Sequence, residues 1–580
     1  MISISHASTF FLLFSSALSF TPCPLLGPAF PPFSLDTNDK TVGGALKELK
    51  QRFDTLVSTN TGVHGDVSAN TTFSIALFSS DAGNAEDEPF FWQYHHTAPA
   101  LNQTLAGSHA ADKDSVYRIG GLTEVFTVWS LLFTGNGDQI FDDPVTKYLP
   151  ELGNSTTVQD VIEHVKWDDV TVGQLASHMS GIARDYCSKD VTLQTSSTEA
   201  GLPPHQAINI PCCGNGSKCD SSDIIQHLAN KTPVVPAGGT PSYSNMAFQL
   251  LGYIVEKRTG KPFNEVLQHD IFDVLGMTET SIFAPNTTTT GIIPVGEEAS
   301  GWLAHHEADQ ASTSVFSSVK DLATAGQAIL NSTLLSKPQT NRWFKPVSHT
   351  SNPANSIGSP WLIYSSAQSY PNASMVDIYT ILSNEGNNEG LYSSYLGLVP
   401  DFGVGFAILS ANTETPADLN AHADIIGDVV LEALMKTAIE QAAKNFGGEY
   451  KTSNINSSIT VKYDSLPGLY IQEFVSNGTD FRATLAGIVG VAKPADLSIR
   501  LYPTQLVEEA GSGSKQAFRA VFQDKTELAD SGTPTCVSWL DLDKLQYGGR
   551  GLDEFVFSLD RSGQAVSVEI PALQVSLEKN

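Results

Sequence analysis

The stretch DSVYRIGGLTEVFTVWSLLF, residues 114–133, constrains the fold more than any other part of this chain. It has the pattern of a strand end, a pair of glycines and then a helix that is apolar on nearly all sides. A helix of this kind is found buried inside a domain rather than on its surface. We therefore expect a domain built around this helix, with the first helical turn facing the cavity that the fold encloses.

The length of the chain indicates two domains, because 580 residues exceed what one hydrophobic core usually supports. From about residue 445 onward, short alternating runs separated by turns replace the longer helical patterns. The last of these runs reads as a hairpin with its turn at residues 560–563. We assign residues 21–440 to a first domain and residues 445–580 to a C-terminal β-rich domain.

The N-terminus is typical of a secreted protein. The apolar run FFLLFSSALSF, residues 10–20, is too short to span a bilayer, so residues 1–20 are predicted to be a cleaved signal peptide. A net charge of -29 disfavours nucleic acid and anionic membranes as partners. The density of Asn-x-Ser/Thr sequons fits a secreted glycoprotein. The candidate glycosylation sites are Asn70, Asn102, Asn154, Asn215, Asn230, Asn286, Asn331, Asn372, Asn456 and Asn477.

Four of the six cysteines lie in one insertion, residues 187–219, which is rich in Pro, Gly and Ser. In an oxidising compartment two local disulfides are expected there, with the connectivity left open. A zinc site is the weaker alternative, because no histidine stands at ligand spacing. The remaining Cys23 and Cys536 either pair with each other or stay free. The four candidates for the local disulfides are Cys187, Cys212, Cys213 and Cys219.

Three stretches follow one another in the order of a known family. The central helix begins with Gly121-Leu122-Thr123-Glu124, Tyr243-Ser244-Asn245 precedes the helical run AFQLLGYIVE, and DIYTILSNEGNNEG precedes a strand pair. Across roughly residues 40–435 the chain resembles the serine β-lactamase and penicillin-binding-protein superfamily, and is most similar to its secreted fungal β-lactamase-like members. The resemblance implies an α/β (α+β) domain with a mixed, largely antiparallel sheet flanked by helices, followed by an all-β domain.

The chain departs from this family at the positions that carry its chemistry. The family's first stretch reads Ser-x-x-Lys, with the serine as nucleophile and the lysine one helical turn later. Here Gly121 occupies the nucleophile position and Glu124 the lysine position. The closing strand usually carries a cationic motif, and here Asn384 or Glu385 fills that position, depending on the register. An acyl-enzyme at Gly121 is excluded, because glycine has no side chain to acylate.

Neighbouring hydroxyl groups do not replace the missing serine. Thr123 lies about 200° round the helix axis from Gly121, so its hydroxyl is predicted to point away from the cavity. Ser130 lies too far along the helix. Ser244 is within reach of the cavity but has no lysine beside it. A residual β-lactamase-type or esterase-type hydrolase with another nucleophile is therefore kept as the weakest of three functional hypotheses.

The first hypothesis is a site converted to non-covalent acid–base chemistry. Tyr243 would lie between Glu124 and Glu385, with Asn245 pointing into the same space. Burial and like charge would raise the pKa of one or both glutamates, so that one serves as general acid and the other as base. Such a site suits isomerisation, dehydration or cyclisation of a small molecule. The resemblance to fungal proteins suggests a natural-product substrate.

The second hypothesis is a pseudoenzyme that binds a ligand or acts as a scaffold. Neither hypothesis requires a cofactor or a metal ion, and a divalent cation held by the two carboxylates is a minor alternative, since no histidine is placed to join them. His178, in the helix and turn after the central helix, is predicted to pack behind the site without a catalytic role. The oligomeric state is not predicted by the sequence.

The sequence predicts that the mature chain begins near residues 17–22 and carries several N-linked glycans. N-terminal sequencing and the gel shift caused by an N-glycosidase measure both features. A chain that keeps its first residue and shows no gel shift would contradict secretion, and the four clustered cysteines would then have to be explained as free thiols or metal ligands.

Overall fold

A computed structural model gives the architecture of most of the chain. The residues that it describes are 20–81, 88–104, 106–134, 137–154, 160–186, 201–202, 220–285, 289–304, 310–366, 376–383, 390–511, 513–526 and 536–580. Some predicted features lie outside the described residues: the signal peptide up to residue 19, the clustered Cys187, Cys212, Cys213 and Cys219, the strand-end Asn384 and Glu385, and the sequons at Asn215, Asn286 and Asn372.

The described residues form two compact units. The larger unit begins at residue 34 and ends at residue 437, and the smaller one comprises the residues up to 33 together with residues 438–580. The sequence analysis assigned residues 21–33 to the first domain, and the structure instead places them in the C-terminal unit. The reason is a long-range covalent link to that unit, described below.

The larger unit contains one eight-stranded sheet in which neighbouring strands are antiparallel, as the resemblance implied. Its spatial order is β2-β1-β10-β9-β8-β7-β6-β5, and β3 and β4 form a separate short pair. The strands are β1 (Thr72–Ser79), β2 (Trp92–His96), β3 (Tyr117–Arg118), β4 (Phe316–Ser317), β5 (Ser348–His349), β6 (Asn355–Ile357), β7 (Leu362–Ser366), β8 (Val376–Ser383), β9 (Tyr392–Val399) and β10 (Val404–Ala411).

Helices surround this sheet. They are α1 (Lys40–Thr59), α2 (Thr123–Thr134), α3 (Val172–Ala176), α4 (Ser221–Ala229), α5 (Asn245–Thr259), α6 (Phe263–Leu267), α7 (Asp273–Leu275), α8 (Gln310–Thr313), α9 (Val319–Leu330), α10 (Lys337–Trp343), α11 (Asn420–Ile426) and α12 (Glu432–Phe446), of which the last continues into the smaller unit.

The central strand β1 shows how both faces of the sheet are covered. Successive side chains of a strand point to opposite faces. Phe73 lies against Phe53 of α1, with ring centroids 6.3 Å apart. Phe78 points to the other face, where Gly326 of α9 lies so close to its ring that a side chain at Gly326 would collide with it. The sheet is therefore packed between helices, and all eight residues of β1 are buried.

Helix α2 is the buried helix that the sequence predicts, with residues 123–132 all buried. Its aromatic side chains pack against other helices: the ring of Phe126 lies 5.4 Å from that of Phe272, and Trp129 lies 6.1 Å from Trp343. The hydroxyl of Thr127 donates to the backbone oxygen of Ala311 at 2.6 Å. These contacts fix the direction of the helix and, with it, the position of its first turn.

The smaller unit is an antiparallel sheet that closes on itself, accompanied by the end of α12 and by α13 (Phe481–Val489). The order is β12-β11-β21-β20-β19-β16-β15-β13-β14, and an additional pairing of β12 with β13 completes the ring. The strands are β11 (Gly448–Thr452), β12 (Ser457–Lys462), β13 (Leu469–Ser476), β14 (Thr479–Asp480), β15 (Leu497–Ala510), β16 (Gly513–Asp524), β17 (Gln546–Tyr547), β18 (Arg550–Gly551), β19 (Glu554–Asp560), β20 (Ala565–Ile570) and β21 (Val575–Lys579).

A disulfide joins Cys23 to Cys536, which lie 513 positions apart in the chain. Next to it, the backbone N–H of Cys23 donates to the side-chain oxygen of Gln523, and the hydroxyl of Ser538 donates to the backbone oxygen of Pro24. The run CVSWLDL, which begins at Cys536, is one of the short alternating runs that predict strands in this domain, but the structure shows a short 3-10 helix there.

Two further observations concern membrane-spanning helices and the candidate glycosylation sites. Among the described residues, no helix combines the length and apolar character needed to cross a membrane. Among the sequons whose side chains are described, Asn70 is partly buried. The other asparagines are exposed: Asn102, Asn230, Asn331, Asn456 and Asn477.

We predict that the double variant Cys23→Ser/Cys536→Ser lowers the free energy of unfolding of the smaller unit by about 2–5 kcal/mol, because the bond restricts the unfolded chain. Urea unfolding, monitored on the smaller unit's transition, measures the effect. Ser538→Ala is the matched control and is expected to cost about 1 kcal/mol or less. Equal unfolding midpoints for the double variant and the wild type would contradict a stabilising role for the disulfide.

Candidate active site

Glu124 lies in the first turn of α2 and is only 1% exposed. One of its carboxylate oxygens accepts a hydrogen bond from the Tyr243 hydroxyl at 2.9 Å. The other oxygen lies 3.3 Å from Nε2 of His178. The sequence predicts the first of these contacts, since Glu124 and the Tyr-x-Asn loop were expected to face each other across one cavity. The buried carboxylate therefore has two polar partners.

His178 was predicted to pack behind the site without a catalytic role, and the structure places it in direct contact with both Tyr243 and Glu124. The ring of His178 stacks on that of Tyr243 with centroids 4.6 Å apart, and its Nδ1 accepts a hydrogen bond from the backbone N–H of Ser244 at 3.3 Å. A backbone N–H can only donate, so Nδ1 has no proton and the proton of the neutral ring is on Nε2. His178 therefore donates from Nε2 to Glu124.

The Tyr243 hydroxyl also lies 3.0 Å from Oδ1 of Asn245, so its proton is shared between two acceptors. The amide of Asn245 is held in this orientation because its nitrogen donates to Asp185 at 2.6 Å. Asp185 in turn pairs with Arg184 at 3.3 Å, and the Arg184 guanidinium lies over the Tyr243 ring at 4.5 Å. Tyr243 is thus held on its ring and at its oxygen, while 36% of its surface stays exposed.

Gly121 is buried beside this cluster. A Cβ atom added to Gly121 would lie 3.5 Å from the Tyr243 oxygen and 3.4 Å from the hydroxyl oxygen of Ser383, distances of ordinary contact. The adjacent Gly120 has a φ of +48°, which favours glycine, whereas Gly121 is not among the residues with positive φ. The backbone therefore does not require glycine at position 121, and a small space takes the place of a side chain there.

The backbone N–H of Gly121 donates to the Ser383 hydroxyl at 2.9 Å. An N–H at the start of a helix is a suitable donor to the oxyanion of an acyl-transfer reaction. Here it is already hydrogen bonded to a side chain. This contact, like the absence of a side chain at Gly121, does not favour acyl transfer.

The other hydroxyl groups near α2 serve the fold. The Thr123 hydroxyl accepts a hydrogen bond from the backbone N–H of Val315. The Ser130 hydroxyl donates to the backbone oxygen of Thr127. Both hydroxyl groups therefore point away from Tyr243. Ser244 was expected to be within reach of the cavity, and the structure corrects this. It is fully buried, where its hydroxyl accepts from the N–H of Ala247 as the N-cap of α5 and donates to the backbone oxygen of Ala183.

The sequence analysis placed Glu385 on the second side of Tyr243, and this stays a prediction. Glu385 lies outside the described residues, and in the part of the chain that is described His178 and Asn245 contact the cluster. In that same part no group of three or more His, Cys, Asp or Glu side chains is arranged to hold a metal ion.

The sequence analysis missed two residues of the site, Asp185 and Ser383, and it gave His178 only a packing role. His178 and Asp185 lie in the run ASHMSGIARDY, directly before the cysteine-rich insertion, where polar side chains flank a glycine turn. That combination of His and Asp close to the family's motifs is the signal that could have identified them. Ser383 ends β8, at the strand whose usual cationic motif is missing, and only the strand register places it beside Gly121.

Comparison with known families gives a match for each of the two units. Residues 94–431 match the family model described as Beta-lactamase, and residues 438–580 match the one described as Beta-lactamase-like-like, C-terminal domain. The first match covers more than half of the chain, and the chain therefore belongs to the β-lactamase family.

Individual relatives resemble this chain along most of its length. A "Beta-lactamase-like protein" of Arthroderma benhamiae is 28% identical, over 93% of this chain and 92% of the relative. A protein of Phoma sp. described as a probable hydrolase is 24% identical, over 94% of this chain and 90% of that one. Among solved structures, a class C β-lactamase is similar with a TM-score of 0.48 at 14% identity, over 69% of this chain and 98% of that one.

We predict that Gly121→Ser changes the free energy of unfolding by less than about 1 kcal/mol, because the site has room for the added Cβ. Gly120→Ala is the matched control and is expected to cost about 1–2 kcal/mol, because its φ is left-handed. Chemical denaturation of the two variants measures the difference. If Gly121→Ser lowered the free energy of unfolding as much as Gly120→Ala does, the result would contradict the room for a side chain at Gly121.

Proposed function

We propose that this protein acts on a small molecule by moving protons at Tyr243, with no covalent intermediate. The observation that supports this most directly is the buried Glu124, which accepts a hydrogen bond from a partly exposed Tyr243. A phenol with a carboxylate behind it can take up a proton in front while it releases its own proton to the carboxylate. The same pair works in reverse as a general acid.

His178 supports the transfer from the second carboxylate oxygen. Its Nε2 proton points to Glu124, and its Nδ1 is held by the backbone of Ser244, so the ring cannot turn away. A donor fixed in this way stabilises negative charge on Glu124 before the transfer, when the carboxylate is ionised. We assign His178 as a positioning residue, since its contacts are with Glu124 and Tyr243 rather than with the open space.

The space above Gly121 is where the reacting group of the substrate would lie. It is bordered by the oxygen of Tyr243 and the hydroxyl of Ser383. Abstraction of a proton at this point followed by its return at another atom is an isomerisation. Loss of a hydroxide instead gives dehydration, and attack by another group of the same molecule gives cyclisation. We propose a small molecule of natural-product type as the partner, and the net charge of -29 disfavours nucleic acid and anionic membranes.

A second candidate is hydrolysis by an activated water molecule. The Phoma relative is described as a probable hydrolase, and in this reading a water molecule would lie beside the Tyr243 oxygen. Tyr243 and Glu124 would then take the proton of the water as it attacks a carbonyl. This route also forms no bond between enzyme and substrate. The ligand-binding pseudoenzyme is the remaining alternative, and it needs the same cluster only for recognition.

Secretion forms part of the proposal. A disulfide between Cys23 and Cys536 fits an oxidising compartment, where such bonds persist. The exposed sequons are accessible to glycosylation in the secretory pathway. We propose a secreted glycoprotein that meets its substrate outside the cytosol.

We predict that Glu124→Gln and Tyr243→Phe each lower turnover by about 10²–10⁴-fold and lower the free energy of unfolding by no more than about 1–2 kcal/mol, because each removes one half of the proton transfer and keeps the shape. Turnover is measured by mass spectrometry, after incubation with a small-molecule extract of the culture that secretes the protein, as conversion to products of equal mass or of mass changed by one water. The exposed Glu151→Gln is the matched control and should convert at the wild-type rate.

The pseudoenzyme alternative makes the opposite prediction in the same experiment. Wild type would then convert nothing beyond a heat-denatured sample. Glu124→Gln would raise the free energy of unfolding, because it would relieve a buried charge that has no catalytic use.

We further predict that a fluorophosphonate probe forms no adduct, since Gly121 has no oxygen and Ser244 is buried as a helix cap. Intact-mass measurement after incubation with the probe decides this. A stoichiometric mass increase on any residue would contradict the non-covalent mechanism and return the protein to the covalent hydrolases.

A further inference from the structure

The larger unit contains a second cavity, of about 530 Å³, away from the proton-transfer cluster. Residues from the stretches 161–170 and 233–237 and Ser180 line it, and neither Glu124 nor Tyr243 does. Its volume lies within the range of roughly 300–1,000 Å³ that is usual for small-molecule sites. The cavity is therefore large enough for a compound of several rings.

The lining of this cavity is mostly apolar. Nine of its thirteen residues are Val, Ile, Pro or Ala, which makes water a poor occupant of the space. The two charged residues, Lys166 and Asp169, lie 3.9 Å apart and are each 66% exposed, so they pair with each other at the surface. A charged ligand is therefore not favoured, and the chemistry of the wall fits a neutral, largely apolar molecule.

Two polar atoms in the lining have no hydrogen-bond partner among the described residues. These are the hydroxyl oxygen of Ser180 and the Nδ1 atom of His164, both shielded from solvent. A buried polar group without a partner costs free energy, and a ligand that supplies the missing hydrogen bond recovers it. The residue Ser180 is itself only 2% exposed. The ligand is therefore expected to have a hydroxyl or amino group on its apolar frame.

The wall of the cavity is preformed by backbone hydrogen bonds. The N–H of Val234 donates to the oxygen of Gly181 at 2.8 Å, and that of Gly238 donates to Met179 at 2.8 Å. Gly181 has a φ of +67° and lies so close to Val235 that a side chain there would collide with its backbone oxygen. The cavity therefore does not depend on a mobile side chain to stay open.

We propose that this cavity is a second ligand site, for a neutral, largely apolar small molecule with one hydroxyl or amino group. It is independent of the proton-transfer proposal, because the two sites share no lining residue. The segment that carries His178 also carries Ser180, so an occupied cavity is adjacent to the segment that holds Tyr243 in place.

The test uses the full-length secreted protein and N-phenyl-1-naphthylamine, a neutral aromatic amine that fluoresces in apolar surroundings. We expect saturable binding of the probe. Ile162→Asp, which places a charge at the rim on a side chain that is 76% exposed, should weaken binding by about tenfold without affecting the fold. Val63→Asp, at a position that is 92% exposed and absent from the lining, is the matched control and should bind like the wild type.

Two further variants make the outcome specific. Ser180→Ala removes the hydrogen-bonding hydroxyl and should weaken binding by about two- to tenfold, and it decides the test if Ile162→Asp fails to fold. Tyr243→Phe should leave the affinity for the probe unchanged. Absence of saturable binding, wild-type affinity in Ile162→Asp, wild-type affinity in Ser180→Ala, or weaker binding in Tyr243→Phe would each overturn the proposal.

Discussion

The burial of the Glu124 carboxylate is the constraint on which the site depends. A charged group this far from water is costly unless hydrogen bonds and neighbouring dipoles compensate for the lost hydration. Glu124 has three such compensations: the Tyr243 hydroxyl, the Nε2 proton of His178 and its own place in the first turn of α2, where the helix dipole favours negative charge. Removing either side-chain partner would leave the carboxylate short of a hydrogen bond in a dry environment.

Each partner is placed by a different structural element, and the elements support one another. Ser244 caps α5 with its hydroxyl, and its backbone N–H holds His178. The backbone N–H of Ser242 donates to the oxygen of His178, which sits in a turn with a φ of +56°. The loop before α5 therefore presents Tyr243 and fixes His178 at once. A substitution in this loop is expected to disturb both contacts to Glu124.

The sequence is sufficient to predict what depends on local pattern. The apolar period of α2 predicts its burial, and one helical turn from Gly121 places Glu124 opposite Tyr243. The contacts of His178 depend on the left-handed backbone conformation of this residue itself. Hydrophobic periodicity in the sequence does not reveal such a conformation. Ser383 reaches Gly121 only through the pairing of distant strands, and Cys23 pairs with Cys536 across nearly the whole chain. The strand expected after Cys536 became a 3-10 helix because the disulfide and Ser538 tie it to the N-terminal segment.

The central claim is that Glu124 and Tyr243 act as one hydrogen-bonded pair. A double-mutant cycle of Glu124→Gln and Tyr243→Phe on the free energy of unfolding measures their coupling directly. If the two buried side chains form a charge-assisted hydrogen bond, we expect a favourable coupling free energy of about 1–2 kcal/mol between them. Either single substitution removes this interaction. Additive effects of the two substitutions, to within about 0.3 kcal/mol, would show that the two side chains do not interact and would contradict the proton-transfer site.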